Sequence, residues 1–156
     1  MEGLIKANCD ANLQVKPWLG ISAIFRNHEG LVMASATWKL KGQDEATVAE
    51  ALAILFTMRL VEDCGFMKMF FEGDNERVMW LVQNGQNEDK SYLGGIIKET
   101  QEIQSHFDIC NFNSIPRTCK TTTHVLDQIA HYNPNKIWIE EASVQLNEVY
   151  FHDLIN

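Results

Sequence analysis

The alternation of apolar and polar positions sets out most of this chain before any single residue is considered. From Leu4 to Asn12, Ile5, Ala7, Cys9 and Ala11 alternate with Lys6, Asn8, Asp10 and Asn12. That period of two predicts a half-buried first strand ending near Asp10. The Lys16-Pro17 pair makes a turn, and Trp18 to Arg26 reads as a second strand. Asn27-His28-Glu29-Gly30 has hairpin-turn chemistry and returns the chain into a third strand over Leu31 to Trp38. These three segments predict an antiparallel meander. From Gln43 to Asp63 the period becomes helical, with Asp44 as the expected cap and Gly65 just past the end. Phe66 to Glu72 predicts a fourth strand, and the helix before it lets it run parallel to the first. Two helices follow, over Asn75 to Gln83 and Tyr92 to His106, then a weaker fifth strand over Phe107 to Ile115. Thr122 or Thr123 can cap a last helix holding Val125, Leu126, Ile129 and Ala130, which Asn133-Pro134-Asn135 closes. Lys136 to Asn156 is a mixed segment.

On the long helix, Glu50 interrupts a stripe of small and apolar side chains, with Ala46, Thr47, Ala53 and Ile54 three and four residues away. A carboxylate on that face either runs its stem along the stripe to water or meets a cation or strong donors, since an unsupported buried charge costs several kcal/mol. Three further acids sit at element ends: Asp10 on the first strand, Asp74 at the exit of the fourth, and Asp127 in the last helix. With the first and fourth strands parallel, Asp10 and Asp74 leave the sheet at the same end. Four converging carboxylates suit hard divalent cations, a pair of which can activate water and stabilise the leaving oxygen of a phosphodiester. Each acid also has a plainer reading. Asp74 can cap the helix after it, Asp127 can complement its helix dipole, and Asp10 can be a strand-end turn residue.

Composition narrows the setting. The 156 residues are 46% hydrophobic, enough for one substantial core and too few to expect two, so residues 1–156 are read as a single domain. The formal net charge is −8, made of −3 over residues 1–78 (8 basic, 11 acidic) and −5 over residues 79–156 (5 basic, 10 acidic). A polyanion partner must therefore be held by a local basic patch or by bound cations. Cys9, Cys64, Cys110 and Cys119 lack zinc-finger spacing, which argues against a structural zinc site. Neither a signal-peptide pattern nor an apolar run of membrane-spanning length is present, so the expectation is an intracellular chain with reduced thiols and no membrane partner. Met1-Glu2-Gly3 leads straight into the first strand, as in a piece that begins near a domain boundary of something longer.

Four short motifs carry a family resemblance: Lys6-Ala7-Asn8-Cys9-Asp10, Ala49-Glu50-Ala51-Leu52-Ala53, Phe71-Glu72-Gly73-Asp74, and Val125-Leu126-Asp127-Gln128-Ile129-Ala130. In this order and spacing the chain resembles the ribonuclease H superfamily, in particular the plant retroelement-type modules found beside reverse transcriptases. Trp138-Ile139-Glu140-Glu141 is similar to that family's C-terminal extension, which makes residues 136–156 the expected extension. The resemblance implies an α/β fold with a five-stranded mixed sheet of order 3-2-1-4-5, strand 2 antiparallel, flanked by helices. It implies two Mg²⁺ or Mn²⁺ ions held by Asp10, Glu50, Asp74 and Asp127. Asp10 would bridge both ions, Glu50 and Asp74 would complete one site, and Asp127 would hold the other beside the attacking water. The implied substrate is the RNA strand of an RNA–DNA hybrid, told from DNA through its 2′-hydroxyls. The implied chain is a monomer or part of a larger reverse transcriptase polyprotein.

Departures from the family pattern are local. Ala11-Asn12 replaces a glycine-containing turn, Asn75 stands where serine is common, and a histidine expected ahead of Pro116-Arg117 is replaced around Ser114-Ile115. His124 is a candidate substitute for it, against the plainer reading of a solvated helix-end histidine. Lys39, Lys41, Arg117 and Lys120, with Asn12 and Asn75, are the candidate nucleic-acid contacts. A 3′–5′ exonuclease of the same superfamily would carry Asp-x-Glu on the first strand, where this chain has Asn12 two residues after Asp10. A domesticated module that binds without cutting is the competing class.

Overall fold

The computed structural model describes residues 2–13, 16–42, 45–85, 90–116 and 135–139. Within them, strands β1 (Ile5–Asn12), β2 (Trp18–Arg26) and β3 (Val32–Lys41) precede helix α1 (Ala46–Asp63). Strand β4 (Lys68–Gly73), helices α2 (Glu76–Asn84) and α3 (Tyr92–Gln104), and strands β5 (Ile109–Ser114) and β6 (Lys136–Ile139) follow. The sheet order is β5-β4-β1-β2-β3-β6. β1 pairs antiparallel with β2 and parallel with β4, as the hairpin turn and the intervening helix dictate. The expected five-strand order therefore holds, with one addition. Residues 136–139, read as the start of a mixed C-terminal segment, pair antiparallel with β3 as a sixth strand. Four residues are too few for an alternation to identify them as a strand.

The β2–β3 turn closes through Asn27, whose side-chain Oδ1 accepts the amides of Glu29 at 3.0 Å and Leu31 at 2.9 Å, while Gly30 takes a φ of +82°. α1 ends in a Schellman motif. The Phe66 amide donates to the Val61 carbonyl and the Gly65 amide to that of Glu62, with Gly65 at φ +74°. Its start differs from expectation: Glu45 occupies the N-cap position without a side-chain cap bond, and Asp44 lies outside the described residues.

One face of the sheet meets α1 through small side chains, Ala7, Cys9, Ala11, Ala23 and Ala36, which let the helix lie close to β1 and β2. The other face departs from the half-buried prediction. Asn8, Asp10 and Asn12, expected toward solvent, are 5%, 1% and 8% exposed. The same face stays covered on the neighbouring strands, where Ser22, Ser35 and Thr37 are fully buried, so the polar half of β1 lies out of water together with them. No helix among the described residues is long and apolar enough to cross a membrane.

Candidate active site

Asp10 reaches the site from β1, where it pairs in register with Ser22 of β2. Asp74 is the first residue after β4, half-buried at the same end of the sheet. Glu50 comes down from the second turn of α1. One carboxylate oxygen from each of these three residues lies within 4.8 Å of those of the other two. Glu50 is 8% exposed, so its carboxylate does not escape to water along the helix, and its Oε1 accepts the Ala11 amide at 3.4 Å. The close approach of α1 to the small-residue face makes that contact possible.

The plainer reading of Asp74 as a helix cap is overturned. Asn75 caps α2, its Oδ1 accepting the Val78 amide at 3.0 Å, which leaves Asp74 facing Asp10 and Glu50. Asn75 flanks the site with its side-chain oxygen already engaged. Asp127, Arg117, Lys120 and His124 lie outside the described residues.

Lys39 stands on the site's face of the sheet. The pairings Asn12↔Gly20 and Gly20↔Lys39 place Asn12 and Lys39 on the same sheet face as Asp10, one pleat further along. Lys39 Nζ lies 4.9 Å from the centre of the Trp18 ring, and Lys41 Nζ lies 5.9 Å from it. Trp18 received no role in the sequence reading. The signal was available in principle, because a hairpin of this register pairs Trp18 with Lys41. Beside Lys41, a groove of about 710 Å³ runs between the end of β3, α1 and the start of α3, past Arg59, Lys90 and Tyr92.

Three carboxylates with oxygens this close repel one another, and positive charge brought between them offsets that repulsion. An all-oxygen donor set is the kind that hard divalent cations take, and among the described residues neither sulfur nor imidazole joins the cluster. The residues therefore fit a divalent metal.

This topology, with acids at the ends of the parallel β1–β4 pair and on the crossing helix, defines a ribonuclease H-like domain. RNase H1 from the halophilic archaeon Halobacterium salinarum superposes with a TM-score of 0.67 at 18% identity, over 74% of this chain and 88% of that one. LC11-RNase H1, solved in complex with an RNA/DNA hybrid, gives 0.68 at 17% identity over 78% and 92%. The foamy viral protease-reverse transcriptase, also solved with an RNA/DNA hybrid, gives 0.62 at 12% identity over 83% of this chain and 19% of that one. A comparison with curated proteins gives no match. The family model described as reverse transcriptase-like matches residues 8–130, and the chain belongs to that family.

Proposed function

We propose that this domain is a metal-dependent endonuclease that hydrolyses the RNA strand of RNA–DNA hybrids. The observation that carries the reading is the meeting of Asp10, Glu50 and Asp74 within 4.8 Å, two of them buried, in a ribonuclease H-like fold. The hybrid-bound structures among its fold neighbours support the substrate. Asp10, with Glu50 and Asp74, would hold one divalent ion, and Asp10 with Asp127 a second. When bound, such ions polarise the scissile phosphate and make water acidic enough to attack it. The chain's own part is to fix the oxygens in place: Asp10 through the centre of the sheet, Glu50 through α1 and the Ala11 amide, Asp74 through the strand end that Asn75 hands over to α2. Lys39 and Lys41, with Asn12, Asn75, Arg117 and Lys120, would contact the sugar–phosphate backbone, fixing register without reading bases. The whole chain is read as one domain acting as a monomer or within a longer polyprotein.

Cleavage of labelled hybrid, single-stranded RNA and duplex RNA, with Mg²⁺, with Mn²⁺ and with chelator, tests this. The expected result is cutting of the RNA in the hybrid that chelator abolishes. Equal cutting of single-stranded RNA removes the hybrid assignment. Tight hybrid binding without any cutting points to the module that binds and does not cut.

A further inference from the structure

Immediately before the acidic cluster, β1 and β4 are joined by side chains as well as by backbone. Asn8 and Glu72 are register partners across the parallel pair. Asn8 stands two residues before Asp10 and Glu72 two residues before Asp74, so on β1 the period of two puts Asn8 on the same face as Asp10. Asn8 Nδ2 donates to Glu72 Oε2 at 2.8 Å, and the two residues are 5% and 8% exposed. The other polar atoms of the pair are engaged as well. Lys6 Nζ lies 2.9 Å from Glu72 Oε1, and Arg26 Nη1 donates to Asn8 Oδ1 at 3.2 Å. A chain of four side chains thus crosses β2, β1 and β4.

Its position gives it consequence. The β1–β4 ladder runs from Ile5↔Met69 to Asn8↔Glu72 and stops there. The last rung and the side-chain bond coincide, and Asp10 and Asp74 project just beyond them. A slip of one residue would turn one of those carboxylates to the opposite face. Glu72 is not itself among the clustered acids, and with both oxygens engaged it is held back from them.

We propose that the Asn8–Glu72 hydrogen bond, braced by Lys6 and Arg26, is a positioning clamp that sets the separation of Asp10 and Asp74 and thereby the affinity of the site for divalent metal. The proposal rests on the metal reading given above. Removing an outer partner of a metal site typically costs about 10- to 100-fold in affinity or activity, and that is the size of effect expected.

The test compares three proteins of equal net charge: the wild-type chain, Asn8→Ala, and the swap Asn8→Asp with Glu72→Gln, which keeps the bond with donor and acceptor exchanged. Mn²⁺ affinity is measured by calorimetry, turnover by hybrid cleavage, and β4 amide protection by hydrogen exchange in metal-free buffer. Asn8→Ala is expected to bind Mn²⁺ about tenfold more weakly and to lose kcat while KM for hybrid holds. Its β4 amides should lose protection, and the swap should restore both affinity and protection. Wild-type Mn²⁺ affinity in Asn8→Ala, or a swap as weak as Asn8→Ala, overturns the clamp and leaves the metal reading standing. If Asn8→Ala does not fold, the swap decides alone: a folded swap with weakened Mn²⁺ binding overturns the proposal. If the wild-type chain binds no Mn²⁺, the metal reading fails separately, and unchanged β4 protection in Asn8→Ala overturns the clamp as well.

Discussion

Asp10 and Glu50 stand in a protein interior that ordinarily excludes charge, and their substitution should separate activity from stability. Asp10→Asn or Glu50→Gln removes one of three carboxylates that meet within 4.8 Å, which relieves like-charge repulsion while deleting a ligand of the metal site proposed above. Cleavage is expected to fall by about a hundredfold or more. The melting temperature in metal-free buffer should hold or rise, and a clear drop would assign the residue to a structural bond instead. A different residue-scale outcome concerns the thiols. Burial pushes the Cys110 thiol up to about 12 and raises that of Cys64, the latter with help from the neighbouring Asp63 charge, while Cys9 is fully buried. Thiolate is the reactive form, so alkylation at pH 8, mapped by peptide mass, should be slow at these three positions in the native protein and fast after denaturation. Because Cys110 keeps its proton longer when folded, its contribution to stability is present below the unfolded thiol's range and is lost as pH climbs from about 9 to about 12. The acids were legible in the sequence because each broke a local pattern or ended an element. Asn8 and Glu72 were not, since a polar residue on the outward half of an alternating strand looks solvated until the fold covers that face of the sheet.

Among the elements, α2 depends on α3 for its ending. Gln101 Nε2 reaches from α3 to the carbonyls of Leu81, Val82 and Gly85 at 3.4, 3.2 and 3.0 Å, joining the Gly85 amide at Leu81 and adding a donor to the carbonyl end of α2. Gln101→Ala should cost about 1 kcal/mol, read from chemical denaturation, with the metal dependence of cleavage unchanged. Gly85 leaves still less room. A Cβ there would stand 2.4 Å from the Leu81 carbonyl oxygen, a backbone atom that cannot swing aside, so Gly85→Ala should destabilise by about 1–3 kcal/mol in the same measurement. Elements with strong punctuation were readable in advance: Gly65 ended α1, and Asn27 with Gly30 turned the hairpin. Boundaries without such markers drifted. β1 continues to Asn12 because pairing with β2 extends through Asn12↔Gly20, a tertiary fact that no local run of residues encodes.

Across the whole molecule, a net charge of −8 stands against the polyanionic partner proposed above, and Lys39 and Lys41 stand on the sheet that carries the site. Neutralising both to Gln should raise KM for hybrid several-fold and make the salt dependence shallower by about one to two in log–log slope, with the divalent requirement intact. An unchanged slope would remove them from the phosphate contact. The meander and the parallel first–fourth pair were legible because hairpins and a crossover helix leave few ways to arrange them, and the fifth strand's place came with the family resemblance, whereas β6 joins across about a hundred residues and gave no local sign. That distance has a consequence in time. The residue pairing with Thr37 is Lys136, and 136 − 37 = 99 residues must be synthesised before it exists. At ribosomal speeds of about 5–20 residues per second, β3 waits roughly 5–20 s as an open edge. Charged side chains on a bare edge discourage pairing with a stranger, and Lys39 and Lys41 lie on the part of β3 that β6 never covers. Lys39 and Lys41, proposed above to meet a nucleic-acid backbone, are therefore also expected to discourage the nascent edge from joining another chain.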